Sequence, residues 1–221
     1  MSNSISTFTL LAVRNRLQAY TNRTLTTDGS TVDDIFFLWY PVKKRMDYYM
    51  RVPRMENKLT LAGTDFPNYT LPDDFLEVKE LIYIDANSPY RLDPAPTSEV
   101  EMLKVAESGD KPNRFTITGD GSDGANLLLD VGPTPASTDS FILVYYQRPD
   151  DLNANINGAN LYTSVYLDVV IAGCLMEYYY QHQDLERGQF WEQKFMNQIQ
   201  EANVSEGRAE FAGSTLYVRN S

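Results

Sequence analysis

The sequence predicts an α+β fold: helices from both ends of the chain form a bundle, and an antiparallel β subdomain is inserted between them. Three observations carry this reading. Apolar residues recur at helical spacing near the N-terminus and again after residue 160. Short runs of β-branched, aromatic and leucine residues, punctuated by Gly, Pro, Asn and Asp, fill the middle. The chain has 221 residues, 43% hydrophobic and 22% charged, an ordinary composition for a folded protein of this size. The expected division is a helical bundle from 1–54 and 151–203, a β-rich insertion over 55–150, and an extended C-terminal arm over 204–221.

The elements follow in order. Leu10, Val13, Leu17 and Tyr20 predict an amphipathic helix over residues 9–20, with Ser6 or Thr7 as its N-cap. A second helix is expected from about Val32 to Met50, with Ile35, Leu38, Trp39, Val42, Met46 and Tyr49 on its apolar stripe and Asp33 and Asp34 at its positive end. Pro41 either kinks that helix or ends a shorter one near Tyr40. After Pro53 come extended runs at 58–62, 66–71, 77–85, 114–118, 126–131 and 140–147. Between them, Ser98 and Glu101 form a capping-box pattern ahead of a short helix closed by Gly109. A helix capped by Thr163 or Ser164 runs through Val165–Tyr178 and is apolar nearly all round, so it belongs at the centre of the bundle. A last helix is expected over 185–202, followed by a stretch without a helical face.

Charge and rare residues exclude several classes of function. Nineteen Lys and Arg against 30 Asp and Glu give a net charge of −11, which argues against a broad phosphate-binding surface. With one cysteine (Cys174) and one histidine (His182), neither a disulfide framework nor the usual structural zinc site is expected. Arg14 and Arg16 interrupt the N-terminal apolar residues, so no signal peptide is expected, and the run 165–176 contains Asp168 and is too short to span a bilayer. The reading is a soluble protein of a reducing cytoplasm.

No candidate chemistry outweighs its structural explanation. The 119–124 segment, Gly-Asp-Gly-Ser-Asp-Gly, has oxygen donors but no closing glutamate, and reads as a hairpin loop. Asp73-Asp74 and Asp150-Asp151 each adjoin a proline at the end of an extended run, which is turn chemistry. His182 reads as a boundary residue and Cys174 as a small buried hydrophobe. No catalytic, cofactor-binding or metal-ligating residue is assigned. The aromatic load does stand out, with 15 Tyr, 10 Phe and 2 Trp. Tyr178, Tyr179 and Tyr180 are consecutive on a helix and ~100° apart, so they cannot all face inward. They are candidates for a subunit interface.

One ordered series is more distinctive. It begins Tyr69-x-Leu71-Pro72-x-Asp74-Phe75-x-x-Val78, and continues Lys111-Pro112-x-x-Phe115-Thr116-Ile117 and Leu128-x-x-x-x-Gly132-Pro133-x-Pro135. Then follow Phe141-x-Leu143-x-Tyr145-Tyr146-x-x-Pro149-x-x-Leu152, Asn160-Leu161-Tyr162-Thr163, and Asp184-x-Glu186-Arg187. In its order and spacing, over roughly residues 5–203, the chain resembles head-to-tail adaptor (connector) proteins of tailed bacteriophages, of the podovirus tail-accessory or tail-tubular type.

That resemblance implies a ring, usually a dodecamer, between the portal and the tail nozzle. The ring would extend the DNA channel and retain the packaged genome, with no catalytic residues, cofactor or metal. The implied partners are the portal protein, the tail nozzle or hub protein and further copies of the chain; DNA passes without specific binding, and no membrane is involved. The implied place is the virion neck, after synthesis in the host bacterial cytoplasm. Acidic walls suit a channel that DNA must traverse. An extended arm docking on the portal is also implied, and composition puts Phe211, Leu216, Tyr217 and Val218 forward as its anchors. Three alternatives stay open: another tail ring protein (head-completion or tail terminator, a hexamer), a cell-wall glycan hydrolase using Asp73, Asp74 or Glu77, and a binding module with an acidic face.

Overall fold

In a computed structural model that describes residues 9–27, 34–84, 89–106, 111–120, 126–152 and 155–211, the chain divides into residues 1–54 with 149–221 and residues 55–148. Along the chain the helices are α1 (Leu10–Thr21), α2 (Ile35–Tyr49), α3 (Thr97–Ala106), α4 (Leu161–Val165), α5 (Leu167–Gln181) and α6 (Leu185–Phe211). The strands are β1 (Glu56–Ala62), β2 (Tyr69–Thr70), β3 (Phe75–Ile84), β4 (Tyr90–Arg91), β5 (Asp93–Pro94), β6 (Arg114–Gly119), β7 (Leu127–Gly132) and β8 (Ser140–Gln147). The fold is α+β, as the two periodicities predict.

The helical unit is organised around α5, against which α1, α2, α4 and α6 all pack. Every residue of α5 from Val169 to Met176 is buried, the consequence of its unbroken apolar run. Around it lie Leu10, Val13 and Leu17 of α1, Leu38, Val42 and Met46 of α2, and Phe195 and Ile199 of α6. Gly173 makes the closest packing possible, because a Cβ there would lie 2.6 Å from Val42 Cγ1 and 2.9 Å from Phe195 Cε2.

Helix ends account for most departures from expectation. Thr9 is the N-cap of α1 and makes no side-chain bond, while Ser6 and Thr7 lie outside the described residues. Asp34 caps α2, its carboxylate accepting from the Phe36 N–H at 2.7 Å, and the helix runs on through Pro41. At the other end of α2, Asn203 of α6 accepts from the Arg51 N–H and donates to the Tyr49 carbonyl, both at 2.9 Å, which satisfies groups that a helix end leaves open. The predicted helix at 165–178 is two helices. Asn160 and Thr163 cap each other's backbone to start α4, and α5 follows after Tyr166. Helix α6 continues to Phe211, past residue 204 where an extended arm is expected, and 212–221 lie outside the described residues. Glu206 holds that last part of α6 in place: it accepts from Tyr166 Oη at 2.7 Å and from Arg54 Nε at 3.1 Å.

The β unit has two four-stranded sheets, ordered β1-β8-β3-β4 and β2-β7-β6-β5. In the first, β8 pairs along its length with β1 (Leu59↔Leu143, Leu61↔Phe141) and β3 (Leu81↔Leu143, Tyr83↔Phe141), so alternate residues of three strands turn to one face. Those residues and Phe115, Leu129 and Val131 of the second sheet form one core, in which Phe141 meets the Phe66 and Tyr83 rings edge-on. Helix α3 packs on β6 and β7 and buries Val100. Gly132 permits that approach, since a Cβ would sit 2.9 Å from the Val100 carbonyl oxygen.

Three expectations are corrected in this unit. Pairing is antiparallel except between β5 and β6, which run parallel. The run 66–71 pairs only at Tyr69 and Thr70, because Pro67 has no N–H to donate and Asn68 adopts φ 67°. Helix α3 starts after Pro96, whose carbonyl accepts from the Glu99 and Val100 N–H groups at 3.0 and 3.2 Å. Ser98 therefore lies inside the helix, and Glu101 pairs with Lys104 at 2.9 Å instead of closing a capping box.

Candidate functional site

One carboxylate of each acidic pair singled out in the sequence, Asp74 and Asp151, is bound within the fold. Asp74 accepts from Gln147 Nε2 at 2.6 Å and from Tyr145 Oη at 3.3 Å, and its carbonyl takes the Arg148 N–H, so it clips the start of β3 to the end of β8. Burial and the Asp74 charge together push the Tyr145 hydroxyl pKa above its ordinary value. Asp151 lies 2.9 Å from Lys43 Nζ. Lys43 is 4% exposed and also bonds Asp47 at 2.9 Å, and Asp47 in turn accepts from Tyr162 Oη at 2.9 Å. This ion-pair network joins α2, α4 and the segment between them; Lys43 is buried while the Asp151 side chain is 61% exposed, and the two carboxylates explain why a lysine tolerates burial. The Asp150 carbonyl accepts from Asn160 Nδ2 at 2.9 Å.

The remaining candidates have structural roles as well. His182 caps the end of α5, its Nδ1 2.8 Å from the Tyr178 carbonyl and its ring over the Tyr178 ring. Cys174 is fully buried, and burial pushes its thiol far up from reactivity. The 119–124 segment is a hairpin connection: β6 and β7 pair up to Gly119↔Leu127, and Asp120 and Asn126 bond each other, while 121–125 lie outside the described residues. No group of three His, Cys, Asp or Glu side chains among the described residues has the geometry of a metal site. No helix among them is long and apolar enough to cross a membrane.

The tyrosine run separates into three environments. Tyr178 is 4% exposed and belongs to the core of its own unit. Tyr180 donates to Glu192 Oε2 at 2.5 Å and packs where a Cβ on Gly188 would meet its ring at 2.6 Å, so it holds the α5–α6 turn. Tyr179 is half-buried beside the Arg187 guanidinium. Of the proposed arm anchors, Phe211 is the last residue of α6, and Leu216, Tyr217 and Val218 lie outside the described residues.

Two features went unread in the sequence. Phe37, Tyr40 and Tyr48 are 50%, 58% and 73% exposed on one outward face of α2, with Lys44 over the Tyr40 ring between them. Tyr49, placed on the buried stripe by its spacing, is also exposed. The i, i+3, i+7, i+11 spacing of residues 37, 40, 44 and 48 was available as a signal, masked by the stronger apolar stripe opposite. Charge is also unevenly divided. Residues 55–148 carry 7 Lys and Arg against 16 Asp and Glu, a net −9, whereas the helical unit carries 12 against 14. The acidity of the chain is a property of its β unit.

An open groove of about 820 Å³ runs along α6, lined by Tyr166, Val169, Gln198, Ala202 and Glu206 among others. Burial and the bond to Glu206 raise the Tyr166 hydroxyl pKa far above its usual range, so that hydroxyl is a fixed donor in the groove wall. Comparison with known proteins found no matching curated protein. A family model described as SU10 adaptor protein matches residues 9–219, which takes in both units.

Proposed function

The chain belongs to the SU10 adaptor family of phage proteins, and from that membership we propose that it is a non-enzymatic head-to-tail adaptor of the virion, forming a ring between the portal and the tail nozzle. The observation that carries the proposal is the family match across 9–219, the whole of the described fold. The ring is a dodecamer that lengthens the DNA channel and retains the packaged genome, and its partners are the portal, the nozzle protein and its own copies. A structural role is supported by what the acidic candidates do, since Asp74 and Asp151 are both bound within the fold. The net −9 of the β unit supports passage of DNA without grip, because cations, not carboxylates, condense on phosphates.

In this proposal the portal-docking arm is the stretch after α6. Phe211 sits at its root, and Leu216, Tyr217 and Val218 are its apolar anchors on the portal. The test is mass by light scattering of the protein alone and after mixing with a portal ring. The expected result is a small species alone and roughly twelve copies joined to the portal. A stable hexamer without the portal would overturn the adaptor reading in favour of another tail ring protein. Failure to join any portal would overturn it as well.

A further inference from the structure

The outward face of α2 is an aromatic surface that the described residues leave exposed. Phe37, Tyr40 and Tyr48 lie opposite the side of α2 that packs on α5, and none of the described residues of their own unit buries them. Taking ~150–250 Å² as the area of one aromatic side chain, their exposures leave on the order of 350 Å² of aromatic surface in one stripe, before Tyr49 is added. That is close to the apolar share of one side of a standard protein interface, about 800 Å² and a little over half apolar.

A second aromatic patch lies on different helices. Tyr20 of α1 meets Trp191 of α6 edge-on at 5.9 Å, and Phe190, 61% exposed, packs on the same indole at 5.4 Å. The geometry of α6 shows that the two patches look in different directions. Glu192 faces α2, where Arg45 Nη1 lies 3.6 Å away, while its neighbour Trp191, ~100° round the helix, faces α1. Helices α1 and α2 therefore meet α6 on different sides, and each carries its own aromatic patch.

We infer that the α2 stripe of one copy packs on the Tyr20–Phe190–Trp191 patch of the next copy. A twofold dimer needs one self-complementary patch, whereas head-to-tail association needs two different patches on every copy, which is what this unit carries. The inference rests on the proposal that the chain assembles with itself, and it names the surfaces. It also assigns a role to exposed aromatics whose burial would otherwise bring no gain to the isolated chain.

Disulfide trapping tests it in the full chain. Cys174 is buried and its thiol is unreactive, so the parent protein gives the background. Tyr40→Cys and Phe190→Cys are made separately, both at exposed positions that the core does not use. Oxidising their mixture after it has bound to portal rings should yield the mixed 40–190 dimer at least about tenfold above either like-with-like dimer, and the double variant should give a ladder of linked copies. A predominance of Tyr40→Cys homodimers would overturn the inference in favour of a twofold contact. Linking no greater than in the parent would also overturn it and assign the stripe to another partner, such as the arm or a different protein. Portal binding is scored on the same proteins, so a failed cross-link with intact portal binding sinks only the choice of surfaces.

Discussion

The helical unit and the β unit bury the same device, a lysine paired with aspartate, in different settings. In the helical unit Lys43 lies between Asp47 and Asp151, with side chains of Lys43 and Asp47 only 5% and 13% exposed. In the β unit Lys104 bonds Asp130, with side-chain exposures of 16% and 6%, and also Glu101 on its own helix. The first network joins segments more than a hundred residues apart in sequence; the second pins α3 to β7. The surroundings differ more. One network sits in a nearly neutral unit built on an apolar helix, the other in a unit of net −9 built on aromatic sheet faces. Burial of an ion pair is thus a local matter of partners, independent of the net charge around it.

The comparison is broken most forcefully by emptying each core. Phe195→Ala in the helical unit and Phe141→Ala in the β unit each remove a ring that is 0% exposed, and each should cost about 3–5 kcal/mol. Both tryptophans, Trp39 and Trp191, belong to the helical unit, so their fluorescence during urea unfolding reads the first variant. Hydrogen exchange at β8 amides such as Leu143 reads the second. A loss below about 1 kcal/mol in either would contradict the assigned core.

The paired lysines come next. Lys43→Met removes the cation held between Asp47 and Asp151 and should cost about 3–5 kcal/mol, with partial recovery in the Lys43→Met/Asp47→Asn double variant. Lys104→Met should cost less, about 1–3 kcal/mol, because the Lys104 side chain is 16% exposed against 5% for Lys43. Burial opposes the Lys104 charge, but its bonds to Asp130 and Glu101 outweigh that and raise its pKa. Its contribution is therefore complete below the unfolded pKa near 10.5 and is lost as pH rises through the higher folded value. Equal costs for the two lysine variants would show that the difference in burial has no consequence.

Much of the fold was legible because each unit speaks with one period. Leu10, Val13 and Leu17, or Leu81 and Tyr83, fall where a single buried face puts them, and the structure buries all of them. What escaped was settled by partners distant in sequence. The end of α6 looked unhelical because Val204–Phe211 contains Gly207 and lacks an apolar stripe, and a lone glycine costs only about 1 kcal/mol. Asn203 on the end of α2, and Glu206 on Tyr166 and Arg54, hold the helix there. The two-residue strands β4 and β5 are too short to show any period. The tyrosine run pointed to an interface at 178–180, but Tyr178 is core and Tyr180 holds a turn. The exposed aromatics are on α2, with Tyr20 on α1 and Phe190 on α6.

Two smaller effects sharpen the picture of the helical unit. Burial raises the Glu177 carboxyl pKa, with Arg45 opposing and Glu192 reinforcing the shift. A raised carboxyl favours the folded protein when protonated, so this contribution is present below the unfolded pKa near 4.5 and is lost as pH rises through the folded one. Glu177→Gln should therefore gain stability relative to the parent between pH 4 and 7, by no more than about 1 kcal/mol, in paired urea titrations. A relative loss over that interval would mean that the Arg45 ion pair dominates. Tyr180→Phe removes the bond to Glu192 and should cost about 0.5–1 kcal/mol, with thermal melting as the readout.

Whether this chain adds to a portal as a coaxial ring is tested most directly by electron cryo-microscopy of a portal particle mixed with an excess of the protein. The adaptor reading predicts a second ring stacked on one end of the portal channel, about twelve copies round, with adjoining copies meeting through α2 on one side and α1 with α6 on the other. Portals left bare, or a separate sixfold ring beside them, would contradict it.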